Sequence, residues 1–357
     1  FQLMLACMTI TSAVIFVQNT NFQMNRSWGY DQNHLMYIRT PSKEMYEKMK
    51  AEMEKSPYLL NITGTADHIG RKHRNVVVEQ LDRKYEVNQL KVESGYFDMM
   101  GIELASGRVW SEGVKSTHHE VVVNQTFVDR LELLEPLGFE IEIGDKNYII
   151  VGVIGDLHNR PFGEEIEPMV FSQVNNEELE FLIANITSGN DIKAYDEMES
   201  AWDTLYPEIP LVGGLQADIW DGYFRLIGNF ARFNKAVAGI AVALALLGLY
   251  GLMTLNISGR IKELSIRKTL GANMRHICKI ISRQYLSLTI ISILIGAPMG
   301  YFVTKFQLNM VFVYTLPMGA YRLIIPIVIL LVALSAVIIT QVVRVGRFNP
   351  IKGLRSE

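Results

Sequence analysis

Two short groups of polar residues have the types and spacing that metal binding or hydrolysis would need. His118 and His119 stand side by side before a glutamate, and Asp156 stands two residues before His158. Adjacent residues of a strand point to opposite faces, so the two neighbouring histidines make a poor pair of metal ligands. Asp156 and His158 would share a face only if the preceding strand continued, and the glycine before Asp156 indicates that it has turned. We therefore expect neither group to form a metal or catalytic site.

Motifs for nucleotide or nucleophile chemistry are absent from the sequence. G-x-x-x-x-G-K-[ST] does not occur, nor does the dipeptide Gly-Lys, so the chain cannot hold a nucleotide phosphate in the P-loop manner. G-x-S-x-G, HExxH and CxxC are also missing. The two cysteines, Cys7 and Cys278, are far apart and are interpreted as structural. We expect no catalysis by this chain, and no cofactor or metal bound to it.

A different kind of chemistry is possible at residues 260–273, which read RIKELSIRKTLGAN between two hydrophobic segments. Gly259 precedes this basic stretch and Gly271 lies near its end, as is typical of helix boundaries. Glu263 stands four residues before Arg267, the favourable order for an exposed helical ion pair. A basic helix of this kind would either bind a soluble partner or lie on anionic lipid as an anchor, and composition alone favours neither.

Four uncharged apolar segments must position these residues. Three of them, at 236–259, 284–304 and 323–343, are each long enough to cross a hydrocarbon core of roughly 30 Å as a helix. The fourth runs from Phe1 to about Val17 and is cut at its start, which we interpret as a fragment of a longer protein rather than a cleaved signal peptide. Ionisable residues are absent from their interiors, which disfavours an ion-conducting or proton-coupled function.

The formal net charge of −3 is the sum of an acidic region and a basic remainder. Residues 20–230 hold 35 Asp and Glu against 19 Lys and Arg, a net charge of −16, whereas the remainder holds 2 acidic and 15 basic residues. The bases concentrate between the second and third apolar segments and after the fourth, so the positive-inside rule predicts that both regions are cytoplasmic. The long acidic segment then lies outside.

The acidic segment is predicted to be an α+β domain. Met45, Met49 and Met53 recur every four residues and predict a helix over 42–55 with one buried stripe. Residues 20–39 are interpreted as a polar approach to that helix. A second amphipathic helix is predicted over 191–206, with Ile192, Tyr195, Trp202 and Leu205 on or near one face. Short strands are predicted at 76–79, 87–92, 121–123, 139–143, 148–154, 169–174 and 181–186.

Two further patterns concern the apolar segments. Residues 221–235, DGYFRLIGNFARFNK, predict either a helix that begins above the membrane and continues into it, or an interfacial aromatic belt. Gly296 and Gly300 form a GxxxG pattern that indicates close packing of the third segment against another helix. Pro298 between them predicts a kink.

The basic stretch resembles the signature R-x-x-E-[IL]-[GS]-[IV]-R-[KR]-x-[LI]-G-A of MacB/FtsX-type permeases of ABC transporters. Ser265 stands where many relatives have glycine, and serine is compatible with a helix. Residues 92–108, 120–131 and 148–171 resemble the periplasmic core domain of the same family, and the closing NPIKGLRSE resembles the end of such permeases. The signature is carried by Arg260, Glu263, Ile266, Arg267, Lys268, Leu270, Gly271 and Ala272.

The resemblance implies an α-helical membrane protein with four transmembrane helices and a large α+β extracytoplasmic domain inserted between helices 1 and 2. It implies that the basic stretch is a coupling helix seated in a groove of a separate ATPase, which binds the ATP. Glu263, Ile266, Arg267 and Lys268 would contact that ATPase, while Leu270, Gly271 and Ala272 would shape the turn that ends the helix.

The predicted division of the chain follows from the spans and the resemblance together. Transmembrane helices 1 to 4 are predicted within 1–19, 226–259, 276–305 and 322–343, the second of them preceded by a stalk. The other parts are a two-lobed periplasmic core domain at 20–225, the coupling helix at 260–275, a short periplasmic loop at 306–321 and a cytoplasmic tail at 344–357.

We therefore predict a permease subunit of the bacterial inner membrane that transmits ATP-driven motion outward, and whose output is peptide or drug efflux, lipoprotein extraction or hydrolase activation. Its expected partners are a separate ABC ATPase, membrane lipid and a second permease unit, from the same full-length chain or a homodimer. A periplasmic adaptor or substrate protein is a further candidate, and no nucleic acid is expected. The alternative is a membrane receptor with a periplasmic sensing domain; a membrane hydrolase would need a nucleophile–base motif, which the sequence lacks.

Overall fold

The computed structural model describes residues 1–80, 83–110, 119–259 and 274–346. The chain divides into two compact units, one formed by residues 26–224 and the other by residues 1–25 together with the chain from residue 225 onward.

The described helices and strands are as follows. The helices are α1 (Gln2–Met24), α2 (Lys43–Met53), α3 (Gly95–Met99), α4 (Gln125–Arg130), α5 (Asp191–Leu205), α6 (Asp221–Gly259), α7 (Met274–Val311) and α8 (Ile324–Gly346). The strands are β1 (Leu35–Arg39), β2 (Leu59–Thr65), β3 (Arg74–Gln80), β4 (Arg83–Val92), β5 (Leu104–Gly107), β6 (His119–Asn124), β7 (Glu140–Ile143), β8 (Lys146–Ile154), β9 (Met169–Gln173), β10 (Phe181–Ile186) and β11 (Gly213–Leu215).

The strands of the unit at residues 26–224 form one sheet with two differently built parts. In the first part the order is β11, β1, β10, β2, with antiparallel neighbours. In the second part β4, β3, β7, β8, β6 and β9 follow one another, and β9 also pairs with β4, so these six strands close on themselves. Closure leaves them without a free edge within the ring. A single residue pair, Thr65 with Val92, joins β2 of the first part to β4 of the second.

Helices α2 and α5 cover one face of the first part of the sheet. Met49 and Met53 are buried there and Met45 is packed against them, as the spacing of the methionines predicts. Trp202 of α5 is also buried in this cluster, but Ile192 is 76% exposed, so its predicted place on the buried face is wrong. The ends of both helices agree closely with the predicted ranges.

The predicted polar approach over residues 20–39 is wrong at both ends. Leu35–Arg39 is the strand β1, between β10 and β11, and α1 continues to Met24 instead of ending near residue 19. The polar residues at the end of α1 have partners within the same unit. Asn19 Oδ1 accepts a hydrogen bond from the backbone N–H of Leu316 at 3.0 Å, and Gln23 donates to a backbone carbonyl in the same segment. Polar side chains with such partners do not end a helix.

Within the described parts of the chain, four helices are long and apolar enough to cross a membrane, at Gln2–Met24, Gln216–Gly259, Tyr285–Val311 and Ala320–Gln341. The continuous helix α6 confirms that residues 221–235 are helical and lead into the second apolar segment. Helix α7 extends to Val311, so the first residues of the predicted loop at 306–321 are helical instead. Pro298 lies inside α7.

The GxxxG pattern marks the packing of α7 against α1. A Cβ atom built on Gly296 would lie 2.6 Å from the carbonyl oxygen of Met4, and one built on Gly300 would lie 2.6 Å from that of Met8. Ordinary side chains cannot approach a backbone this closely, so glycine is what allows the two helices to meet. The predicted close packing is confirmed.

Candidate functional site

The eight signature residues of the predicted coupling helix, from Arg260 to Ala272, lie outside the described residues. The structure describes α6 up to Gly259 and α7 from Met274 onward. Their role therefore stays a prediction from the signature.

Asp156 and His158, singled out by their chemistry, have different neighbours in the structure. Asp156 Oδ1 accepts a hydrogen bond from the backbone N–H of Thr126 at 2.8 Å, at the start of α4. His158 is 4% exposed and packs edge-on against Phe162, with 4.5 Å between ring centroids. Among the described residues, no group of three or more His, Cys, Asp or Glu side chains has the spacing to hold a metal ion. His118 lies outside the described residues.

Five aromatic residues form what we call the junction cluster: Trp28, Tyr30, Phe162, Trp220 and Phe224. The Trp28 and Trp220 rings stack with 5.1 Å between centroids and 3° between planes. Phe162 lies 4.0 Å from Trp28 and Phe224 lies 6.0 Å from it in an edge-on arrangement. Trp220 Nε1 donates a hydrogen bond to the Tyr30 hydroxyl at 3.1 Å, which satisfies the one polar group of a buried indole.

The junction cluster contains residues from both ends of the core domain. Trp28 follows shortly after the end of α1, and Trp220 closes the 3₁₀ turn Gln216–Trp220 that leads into α6. The backbone next to Trp28 requires glycine at position 29, because its φ is +82° and a Cβ there would lie 2.3 Å from the Asp156 carbonyl oxygen. The cluster therefore brings together one buried tryptophan from each of the two segments that connect the core domain with the apolar helices.

A buried histidine ties the same 3₁₀ turn to the interior of the sheet. His68 Nε2 lies 2.7 Å from Gln216 Oε1, and its Nδ1 lies 3.1 Å from the hydroxyl of Tyr96. Because the amide oxygen only accepts, this pairing assigns the proton to Nε2 and leaves Nδ1 to accept from the tyrosine. Complete burial lowers the pKa of His68 to about 3, so the imidazole is neutral.

The sequence motifs point to neither His68 nor the junction cluster. The available signal is that all four tryptophans lie in residues 26–224, and two of them adjoin the apolar helices. A large aromatic residue next to a span is equally typical of an interfacial belt, so the sequence pattern alone does not separate the two.

We predict a pH dependence of stability from His68. Its pKa is 6.5 in the unfolded chain and about 3 when folded, so between these values the unfolded state binds more protons. The contribution of His68 to the free energy of unfolding is therefore present in full above pH 6.5. It decreases as the pH falls from 6.5 towards about 3, by up to about 1.4 kcal/mol per pH unit for one proton. His158, whose burial lowers its pKa to about 4, acts in the same direction.

Tryptophan fluorescence during denaturant unfolding of the full chain measures this effect, because all four tryptophans lie in the core domain. We expect His68→Gln to flatten the dependence between pH 4.5 and 6.5. His119→Gln, at an exposed position on β6, is the control and is expected to retain the wild-type dependence. Equal slopes for His68→Gln and the wild type would contradict the assignment.

Comparisons with known proteins identify the two parts of the chain. The family model of the MacB-like periplasmic core domain matches residues 3–199, more than half of the 357 residues, and that of the FtsX-like permease C-terminal domain matches residues 235–346. The chain belongs to the MacB/FtsX-type family of ABC transporter permeases. The resemblance drawn from the basic stretch and from the core-domain segments is thereby confirmed.

The MacB/FtsX-type chain has further relatives among curated proteins and solved structures. It is 22% identical over 219 residues to the ABC transporter permease YknZ of Bacillus subtilis (strain 168), and the match covers 59% of this chain and 55% of YknZ, about half the length of that relative. The periplasmic region of MacB from Actinobacillus actinomycetemcomitans is 14% identical, with a TM-score of 0.42 over 55% of this chain and 94% of that one. The extracellular domain of YknZ from Gram-positive bacteria is 12% identical, with a TM-score of 0.37 over 51% of this chain and 98% of that one.

Family membership gives the coarse functional assignment. The chain belongs to the ABC transporter permease family, and four of its described helices, long and apolar enough to cross a membrane, accompany a core domain of the MacB type. Permeases of this family typically leave ATP hydrolysis to a separate subunit and work with a dimeric arrangement in general.

Proposed function

We propose that this permease transmits ATP-driven movement of a separate ATPase across the bacterial inner membrane to its core domain. The observation that supports this most is the junction cluster, in which Trp28 and Trp220, one from each chain segment that connects the core domain with the apolar helices, are buried and stacked on each other. Stacked, fully packed rings resist relative displacement because protein interiors are close-packed. A displacement of either segment would therefore act on the same part of the core.

The remaining parts of the proposal come from the family signature and the topology. Residues 260–275 contact the ATPase, which binds ATP, and the core domain lies outside the membrane between the first and second transmembrane helices. A second permease unit, from the same full-length chain or a second copy, completes the complex. The output is peptide or drug efflux, lipoprotein extraction or activation of a hydrolase. The alternative of a membrane receptor predicts that no ATPase associates with the chain.

Charge reversal at Glu263 tests the proposal directly. We purify the complete protein from its native membranes in mild detergent, identify the proteins that accompany it and assay ATP hydrolysis. We expect a stoichiometric partner with a P-loop in the wild type, and its loss in Glu263→Lys, while the variant still inserts into the membrane. Gly271→Leu is expected to have the same effect because it alters the turn that ends the helix.

The double variant Glu263→Lys with Arg267→Glu is the matched control. It restores an ion pair of opposite order at the same spacing, so it rescues helix stability without restoring the original surface. Rescue of ATPase binding would assign Glu263 an internal role in the helix. Continued loss would place Glu263, Arg267 or both at the interface, because both residues are predicted to contact the ATPase. If no ATPase accompanies the wild type under conditions that preserve other complexes, the receptor alternative replaces the proposal.

A further inference from the structure

A polar cleft of about 730 Å³ opens where the two parts of the core-domain sheet diverge. β2 and β4 pair only at Thr65 with Val92. Beyond that pair, β2 continues back to Leu59 with β10 on one side and, among the described strands, none on the other. The free edge of β2 therefore forms one wall of the cleft, and its volume lies within the range of ligand-binding sites.

The backbone of β2 presents hydrogen-bonding groups to this cleft. The backbone N–H of Gly64 donates to Glu93 Oε2 at 2.7 Å, and the Gly64 carbonyl accepts from the Glu93 N–H at 3.3 Å. Backbone groups of alternate residues in a strand point to the same side, so Ile62 directs its N–H and carbonyl to the same edge as Gly64. Ile62 lines the cleft. An exposed edge of this kind is a template for a further strand.

The side chains around the edge match the chemistry of a peptide backbone. Carboxamides carry both donors and acceptors and so resemble the peptide group itself. Acidic side chains outnumber basic ones, and none of the lining residues is aromatic, although aromatic surfaces are common in apolar ligand pockets. The polar lining residues are Asn61, Gln173, Asn176, Asn185, Thr63, Ser94, Glu93, Asp98 and Lys50.

We propose that this cleft binds an extended peptide that carries basic side chains, and that the peptide adds a strand to the free edge of β2. Main-chain hydrogen bonds to β2 supply affinity in such complexes, and pockets for alternate side chains supply specificity. The net charge of −16 in the surrounding segment attracts a cationic ligand. The inference rests on the peptide output named in the proposed function and gives it a site. Binding at this edge does not require ATP, so it can fail independently of the coupling to an ATPase.

The test uses the full chain in phosphatidylcholine nanodiscs without an ATPase, with empty discs as the blank. The probe is a fluorescent nine-residue peptide, Thr-Lys-Val-Lys-Thr-Lys-Val-Lys-Thr, whose binding is followed by anisotropy. Hydrogen–deuterium exchange locates the contact, and we expect protection of residues 59–64. A peptide N-methylated at alternate amides keeps the side chains but loses backbone donors, and we expect it to bind at least about tenfold more weakly.

A glycine at the cleft provides the blocking variant. A Cβ built on Gly95 would meet only Thr63 Oγ1, at 3.8 Å, so a larger side chain fits there and fills the cleft. We expect Gly95→Phe to weaken peptide binding at least about tenfold. Gly155→Phe is the matched control, because a Cβ at Gly155 has nothing within 4 Å and the residue does not line the cleft. It should bind the peptide as the wild type does.

A second pair of variants keeps the proposal testable if Gly95→Phe does not fold. Asp98→Lys reverses an exposed charge at the cleft, and Glu199→Lys reverses an exposed charge on α5, away from it. We expect the first to weaken binding of the lysine-rich peptide and the second to leave it unchanged. Absence of binding to the wild type, equal binding of the N-methylated peptide, or equal effects of the paired variants would each overturn the proposal.

Discussion

Replacing Trp28 with alanine is expected to lower the free energy of unfolding of the core domain by about 3–5 kcal/mol, the range for removing a buried tryptophan. Trp28 is 6% exposed and contacts the other aromatic rings of the junction cluster, with Trp220 stacked on it and Phe162 at 4.0 Å. Alanine removes the whole indole and leaves a cavity between segments that the cluster holds together. Tryptophan fluorescence in a denaturant titration of the full chain measures the loss.

The same substitution is expected to separate coupling from stability. Trp202 of α5 provides the matched control, because it is 1% exposed and packs in the hydrophobic cluster between the sheet and helices α2 and α5. Its Nε1 donates a hydrogen bond to the Ile209 carbonyl at 2.7 Å. Trp202→Ala should destabilise the core domain as much as Trp28→Ala. It does not touch the segments that connect the domain with the apolar helices, so coupling should survive.

Coupling is measured as the change in hydrogen exchange of core-domain peptides when ATP is added to the complex of the permease with its ATPase. The measurement is made at a temperature where both variants remain folded. We expect the ATP-dependent change to be lost in Trp28→Ala and retained in Trp202→Ala. If both variants retain the change, the junction cluster is a packing feature and the proposed route of transmission is wrong.

The sequence predicts best the helices whose apolar residues recur between charges. The methionine spacing in α2 and the pattern around Trp202 in α5 locate both helices because one face is polar and the other buried. Leu35, Met36, Tyr37 and Ile38 of β1 are all buried, since cores lie on both faces of the sheet. A strand buried on both faces shows no alternation, which is why β1 is missed.

The end of α1 shows a second limit of sequence patterns. Asn19 and Gln23 are polar and predict the end of an apolar span, yet both are fully buried within their unit. Their partners come from the segment around Leu316, far along the chain, and a local pattern contains no information about such a pairing. The junction cluster is missed for the same reason, because Trp28 and Trp220 meet only in the folded domain.

The GxxxG pattern, in contrast, is local and is interpreted correctly. The close approach it predicts needs only the absence of side chains at Gly296 and Gly300, whichever helix supplies the opposite surface. The structure adds that this surface is the backbone of α1. A backbone carbonyl oxygen cannot rotate away as a side chain can, so the contact tolerates little added volume at either glycine.

Gly300→Leu is therefore expected to force α1 and α7 apart. A Cβ at Gly300 would lie 2.6 Å from the Met8 carbonyl oxygen and 3.0 Å from the Met8 Cα, so the helix itself must move. Overpacking typically costs about 1–3 kcal/mol where side chains can adjust, and we expect at least the upper end here. Gly239→Leu on α6 is the control, because a Cβ there has nothing within 4 Å.

Cys7 reports the separation directly. It is fully buried, and a Cβ on Gly296 would lie 3.0 Å from the Cys7 Cβ, so the thiol sits at the contact between α1 and α7. In a Cys278→Ser background it is the single cysteine. We expect a membrane-permeant maleimide to label it slowly in that background and in Gly239→Leu, and much faster in Gly300→Leu. Equal labelling rates in all three proteins would show that the packing of α1 against α7 does not depend on this contact. The glycine pair would then have no packing role.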